Sequence, residues 1–300
     1  MLFRSLLISG MHGFMGIYEL NPLWSYIFTF FTFIVITNSF NLIDGVDGLA
    51  GSLGILSTLL FGAFFLFSGE IFYSILAFSL AGSILAFLIY NVTPSKIFMG
   101  DTGSLLTGMV NAILVVKFIE IASKPEALLS FPSAPALGFA VLFIPLFDTL
   151  RVFSFRILKR RSPFSPDRNH VHHLLLDKGF NHPAVTAFLL LFNVVVILLT
   201  YTFRGIGNTA LLMSLISLGF CIIGLLFFSG KKKKKELDEI SSIIPAGISA
   251  KVYGTSKDVI EDCRRSSNTR DEYYACLEAK GVGFGSAGTG TVVGEIGRAH

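Results

Sequence analysis

Cysteine and charge are both scarce in this chain. Its three cysteines, Cys221, Cys263 and Cys276, form an odd and widely spaced set. They support neither a disulfide framework nor a zinc ribbon. Charged residues make up only 15 % of the 300 positions, against about 25 % in a soluble globule, and they are bunched into a few segments. The shortage of charge argues against a soluble enzyme domain. The 52 % of hydrophobic residues excludes a disordered or collagenous chain. No cleavable signal peptide stands out: Met1–Ser9 is apolar but too short to span a bilayer, and it lacks a clear small-residue cleavage site.

What the chain has is apolar sequence. Phenylalanine occurs 31 times and the mean hydropathy is +0.69. A bilayer core needs about 20 apolar residues per helix. Seven stretches qualify: 23–41, 49–67, 71–90, 103–121, 134–150, 185–203 and 209–228. The fifth is the weakest, being short and carrying Pro135, Pro145 and Asp148. The fold expected is therefore an all-α, polytopic transmembrane helical bundle of about seven spans.

The net charge of +4 is read by side of membrane. Its basic residues lie between apolar runs, so nucleic acid is not an expected partner. One alternating set of loops (42–48, 91–102, 151–184 and the segment after 228) holds thirteen Lys and Arg as far as Lys235; the other holds Arg4, Lys124 and Arg204. The first set is read as cytoplasmic. Asp44, Asp47, Asp101, Arg168, His170, His172 and His173 then all fall on one side. A miscounted span would scatter them to both faces.

Three clusters carry the chemistry. In Asn41-Leu42-Ile43-Asp44-Gly45-Val46-Asp47-Gly48-Leu49-Ala50, two carboxylates three apart would share a face of a helix, and the glycines allow close approach. At a membrane interface such a pair can hold a cation; the alternative is a solvated turn. An EF-hand is excluded, because the residue that would close its loop is Ile55. In Phe98-Met99-Gly100-Asp101-Thr102-Gly103-Ser104, Asp101 is either a helix cap or a metal ligand beside a helix N-terminus, where phosphate binds well. The third run, Ser165-Pro166-Asp167-Arg168-Asn169-His170-Val171-His172-His173, suits an anionic ligand with sugar hydroxyls. Its alternatives are a zinc site, which lacks the H-E-x-x-H order, and a plain basic loop. Asp148 is either functional or the partner of Arg151. Lys117, inside a span, is expected to snorkel to the interface. Lys231–Lys235 is read as a lipid anchor.

Taken together, and in this order, the three runs resemble the bacterial polyprenyl-phosphate N-acetylhexosamine-1-phosphate transferases. The resemblance is greatest to the branch that loads N-acetylglucosamine-1-phosphate onto undecaprenyl phosphate with release of UMP, and it covers about residues 11–235. It implies an enzyme with Mg2+ as cofactor, or Mn2+ in its place. Its partners would be a UDP-N-acetylhexosamine, undecaprenyl phosphate and membrane lipid. By the same resemblance Asp101 and Asn41 are metal-binding, and Asp44 and Asp47 belong to the catalytic and nucleotide-binding set. Asn41, Arg168, His170, His172 and His173 contact nucleotide, sugar or diphosphate.

The chain also departs from that family, which has ten or eleven spans and an Asp-Asp pair on an earlier cytoplasmic loop. This sequence contains no Asp-Asp pair. The expectation is that residues 1–240 form a transferase domain lacking its N-terminal spans, inactive or weak by itself. Residues 241–300 turn polar and Gly-rich, and are expected to be disordered or artefactual. Two other readings stand: a non-catalytic polyprenyl-phosphate or nucleotide-sugar binding membrane protein, and, last, a transporter, which would need mid-membrane charge and inverted repeats.

Overall fold

The structure is a computed structural model, and it describes residues 6–92, 94–158, 160 and 170–224, apart from the side chains of His173 and Asp177. The expectations for Arg168, the His173 side chain, Lys231–Lys235 and the tail from 241 lie outside the described residues.

A small antiparallel hairpin of β1 (Gly10–Phe14) and β2 (Ile17–Glu19) precedes the helices. The sequence reading did not foresee it. Around its turn four residues have positive φ: His12 at +48°, Gly13 at +80°, Met15 at +51° and Gly16 at +82°. The helices are α1 (Pro22–Ile43), α2 (Leu49–Phe67), α3 (Ile71–Asn91), α4 (Gly100–Ala122), α5 (Ala134–Val141), α6 (Phe143–Leu158), α7 (Val171–Asp177) and α8 (His182–Thr202). A ninth, α9, is described over Asn208–Gly224. The long helices start where caps are available. The Asn21 side chain accepts a hydrogen bond from the Leu23 N–H at 2.9 Å ahead of α1, and Asn181 accepts from Ala184 at 3.0 Å ahead of α8.

Five helices, α1, α2, α3, α4 and α8, are long and apolar enough to cross a membrane. The fifth expected span is corrected: 134–150 is no straight crossing. It is two helices, α5 and α6, bent by 86°, and the pair makes a sixth crossing only as a broken span. Pro145 supplies the reason. It has no N–H for the carbonyl of Val141, and its ring clashes there, so the helix cannot continue. The bend leaves backbone groups unpaired in the interior, and the fully buried Asn193 of α8 meets them. Its amide oxygen accepts from the Ile144 N–H at 3.1 Å, and its amide nitrogen donates to the carbonyls of Val141 at 3.1 Å and Ala140 at 3.4 Å.

Two apolar cores meet opposite ends of α2. One joins α1, α2, α4 and α5, and centres on Phe61, Phe64, Phe118 and Phe131. The Phe64 and Phe118 rings meet edge to face, 4.7 Å apart. The other core joins α2 to α5, α6, α7, α8 and α9. Antiparallel α1 and α4 cross closely because Gly108 has no side chain. A β-carbon there would lie 2.7 Å from the Thr37 Cα and 2.8 Å from its carbonyl oxygen. Lys117 is buried, and its Nζ lies 2.6 Å from Glu120 Oε2 and 5.4 Å from the centre of the Tyr73 ring. A carboxylate one turn along thus pairs with its charge inside the span.

Replacing Asn193 with Leu removes every partner at the break. Each orphaned buried group costs about 1–3 kcal/mol, so the variant is expected to unfold at clearly lower denaturant concentration or temperature in micelles. An unchanged midpoint would show that water or rearrangement serves the bend.

Candidate active site

The α1–α4 crossing delivers the first two motifs to one place. Asn41, in the last turn of α1, donates through Nδ2 to Asp101 Oδ1 at 3.0 Å and to Ser104 Oγ at 3.0 Å. Asp101 is therefore not a helix cap. The cap position of α4 is Met99, which makes no side-chain capping bond, and Asp101 stands in the first turn. There the helix dipole favours its negative charge, and its carboxylate faces α1.

Asp44 and Asp47 do not share a helical face, which corrects the expected spacing argument. The helix ends at Ile43, and residues 44–48 form a turn. Gly48, at φ +73°, opens α2 in the left-handed region that favours glycine. The turn sends the two acids to different neighbours. Asp44 is half-buried beside Asp101. Burial pushes its carboxyl up to about 6, and the Asp101 charge adds to the rise. Asp47 faces α8: His182 Nδ1 lies 3.5 Å from its Oδ2, and Thr186 Oγ1 donates to its carbonyl at 2.9 Å. The turn is braced by Asn91 of α3, which is buried. Asn91 Oδ1 accepts from the Gly48 N–H and its Nδ2 donates to the Ile97 carbonyl, both at 2.9 Å. Asn91 is thus a brace.

The third motif joins through Gly45. A β-carbon on that glycine would lie 2.5 Å from His172 Nε2 and 3.2–3.3 Å from two ring carbons. The His172 ring, itself buried, thus rests against the backbone between the two acids. His170 is also buried, and its ring stacks on that of His172, centres 5.5 Å apart and planes 8° from parallel. Behind them Asp148 and Arg151 of α6 are paired at 3.1 Å, and His170 Nδ1 lies 2.8 Å from Asp148 Oδ2.

Asn41, Asp44, Asp47, Asp101, His170 and His172 therefore gather at one end of the bundle. The sequence reading missed Ser104, His182 and Asn193. Of these, Asn193 had a visible signal, a lone amide in an apolar run. Among the described residues, no group of three His, Cys, Asp or Glu side chains is placed to hold a metal ion, which gives the zinc reading no support there. The oxygen donors of Asp101, Asp44 and Asn41 do suit Mg2+. That ion prefers one or two carboxylates, with its remaining positions filled by water and substrate phosphate.

A polytopic helical membrane protein with acids, an amide and stacked histidines at one end of its bundle is the class that fold and site define. Residues 1–119, which hold the first two motifs, match the family described as glycosyl transferase family 4. The chain is 38 % identical over 116 residues to the decaprenyl-phosphate N-acetylglucosaminephosphotransferase of Mycobacterium leprae, covering 37 % of this chain and 29 % of that one. It is 32 % identical over 186 residues to the undecaprenyl-phosphate alpha-N-acetylglucosaminyl 1-phosphate transferase of Escherichia coli K12, covering 60 % and 48 %. A probable undecaprenyl-phosphate N-acetylglucosaminyl 1-phosphate transferase of Bacillus subtilis is 36 % identical over 114 residues, 38 % of this chain and 30 % of that one. These matches bear out the resemblance carried by the motifs: the match to glycosyl transferase family 4 extends over residues 1–119. The chain spans half or less of the length of the relatives it matches.

The Asp44 shift has a stability consequence. A carboxyl raised above its unfolded value of 3.8 binds more protons folded than unfolded between pH 3.8 and about 6. Its contribution to stability therefore falls as pH rises through that window. In metal-free buffer, Asp44→Asn is expected to flatten the decline of the melting temperature between pH 4.5 and 7 relative to the unaltered chain. Parallel curves for the two proteins would contradict the assignment.

Proposed function

We propose that this site transfers N-acetylglucosamine-1-phosphate from UDP-N-acetylglucosamine to undecaprenyl phosphate, releasing UMP, at the cytoplasmic face of a bacterial inner membrane. The observation that carries the reading is the meeting of Asn41, Asp44 and Asp101 with His172 on Gly45. The names of the relatives support the same reaction.

Both reactants are anions, so charge compensation and positioning are the main tasks. Asp101 and Asn41, with Asp44 beside them, are the residues that would hold Mg2+, or Mn2+ in its place. When bound, the ion offsets the repulsion between the two phosphates and the charge that develops on UMP. The first-turn position of Asp101 sets free N–H groups of α4 beside it, a second source of positive field for phosphate. His170 and His172 are assigned to diphosphate and sugar. Asp44, coupled to Asp101, is assigned to the reacting phosphate. Asp47, drawn towards His182, is assigned to the nucleotide side. The reach of the lipid also fits. An apolar groove of about 650 Å³ begins at Thr37, Asn38 and Leu105, within a turn or so of Asn41 and Asp101, and continues past Phe33, Met109 and Ile113. Its lining suits an isoprenoid tail whose phosphate must stay at the interface.

A second reading, a membrane protein that binds the nucleotide sugar without transferring it, rests on one observation: the sequence holds no Asp-Asp pair.

The test incubates the purified chain in nanodiscs with Mg2+, undecaprenyl phosphate and UDP-N-acetylglucosamine labelled in the sugar. Label is expected in the lipid fraction at a weak level, well below that given by a full-length relative assayed beside it, since the chain spans half or less of those proteins. Asp101→Asn should cut transfer by about 100-fold, in line with the loss of a key electrostatic group. Gly45→Ala should cut it at least tenfold by displacing His172. Gly82→Ala, where an added methyl meets nothing within 4 Å, should leave it unchanged. Binding of the sugar nucleotide without labelled lipid would favour the second reading, and absence of both would overturn the first.

A further inference from the structure

Asp148 lies outside the three motifs, yet it is the most heavily engaged buried carboxylate among the described residues. It is 2 % exposed and its neighbour Arg151 is 1 % exposed. Its Oδ1 accepts from Arg151 Nη2 at 3.1 Å and from the Val171 backbone N–H at 2.9 Å. Its Oδ2 lies 2.8 Å from His170 Nδ1. A buried ion pair alone is weak support for a fold, since an apolar pair of similar volume often serves as well. Here two of the three contacts go elsewhere, to His170 and to the residue after it. Asp148 therefore fastens the start of α7, and with it the histidine motif, onto α6.

We propose that Asp148 is a positioning residue for the transfer site: it fixes the ring state and pose of His170 and, through the His170–His172 stack, holds His172 against Gly45. This inference rests on the function proposed above and adds a residue that neither the motifs nor the relatives' names assign. The chemistry is directional. An ionised carboxylate can only accept hydrogen bonds, so the His170 nitrogen facing it must carry a proton. The hydrogen bond at one ring nitrogen decides which nitrogen is protonated. In a neutral His170 the proton is then on Nδ1 and the lone pair on Nε2. The stack passes that orientation to His172, whose ring touches the backbone between Asp44 and Asp47. The bend at Pro145 is what turns α6 so that Asp148 can reach α7.

The experiment uses the full chain in nanodiscs with 15N-labelled histidine at pH 8, the His170 signals being assigned by their loss in His170→Gln. A protonated Nδ1 on His170 is expected. An unprotonated Nδ1 in the unaltered chain would overturn the proposal without any variant at Asp148. Asp148→Asn can still accept from Val171, but its amide offers N–H to the ring, so Nδ1 should lose its proton. The same variant should bind UDP-N-acetylglucosamine, with Mg2+ present, about 10- to 100-fold more weakly, the usual range for the loss of a group that orients a functional histidine. Asp148→Glu restores a carboxylate and should recover both readouts, which separates positioning from a general loss of fold. Loss of the Nδ1 proton with undiminished binding would also overturn the proposal. Should the unaltered chain bind no sugar nucleotide, the transferase reading falls, and the ring-nitrogen signals alone decide whether Asp148 sets His170.

Discussion

The close crossing of α1 and α4 is the contact on which the site depends. Only because Gly108 lets the two backbones meet at Thr37 do Asn41 and Asp101, on different helices and sixty residues apart, come within one hydrogen bond. In lipid, no hydrophobic effect draws helices together, so shape and small residues decide which faces can meet. The Asp-Gly turn after α1 and the Gly100 entry to α4 follow from that crossing: each lies about two turns beyond the contact, and the Asp44 and Asp101 carboxylates come to lie beside each other. The remaining helices hold this pair in place. The Phe61–Phe64–Phe118–Phe131 cluster ties α2 and the end of α4 together. Asn91 of α3 pins the turn from behind.

A second constraint shapes the histidine side. Within a bilayer every backbone polar group needs a partner inside the protein. The break before Pro145 violates that rule unless something intervenes, and Asn193 answers it with three hydrogen bonds. The bend is therefore built rather than tolerated. Its consequence is that α6 departs from α5 at 86° and carries Asp148 and Arg151 to α7. One proline and one asparagine thus make room for a buried ion pair that an uninterrupted span would carry past the histidines.

These features divide by how the sequence encodes them. The helical membrane bundle was legible because apolar runs of the right length and a one-sided bias in Lys and Arg are summed signals, which no single residue can upset. The gathering of the motifs at one end was legible for the same reason: span parity places them there. What escaped were single-residue effects. Asp44 and Asp47 read as a pair only on the assumption that the helix continues, and Gly45 and Gly48 end it. Asp101 by itself read more readily as a cap than as a ligand, because sequence cannot say that Met99 occupies the cap position. The pairing of Lys117 with Glu120, one turn along and at 2.6 Å, was likewise not read from the sequence. The β1–β2 hairpin is too short, and its strands too mixed in composition, to show a two-residue period.

The electrostatics of the acid cluster argue for its purpose. Asp44 is held at about 6 first by burial and then by the Asp101 charge, so the fold keeps a carboxylate where a neighbouring one disfavours its ionisation. Exposure would relieve the first cause, and an amide at either position the second. Both reliefs are one substitution away, and a chain selected for stability alone would take one of them. Structural ion pairs also perturb carboxylates, but they do so by supplying a cation, as Arg151 does for Asp148. Among the described residues no ion pair joins Asp44 or Asp101 to a Lys or Arg side chain. A cluster in which like charges face each other beside a helix N-terminus, with a histidine pair alongside, is thus built as a functional site is built and not as a structural ion pair is.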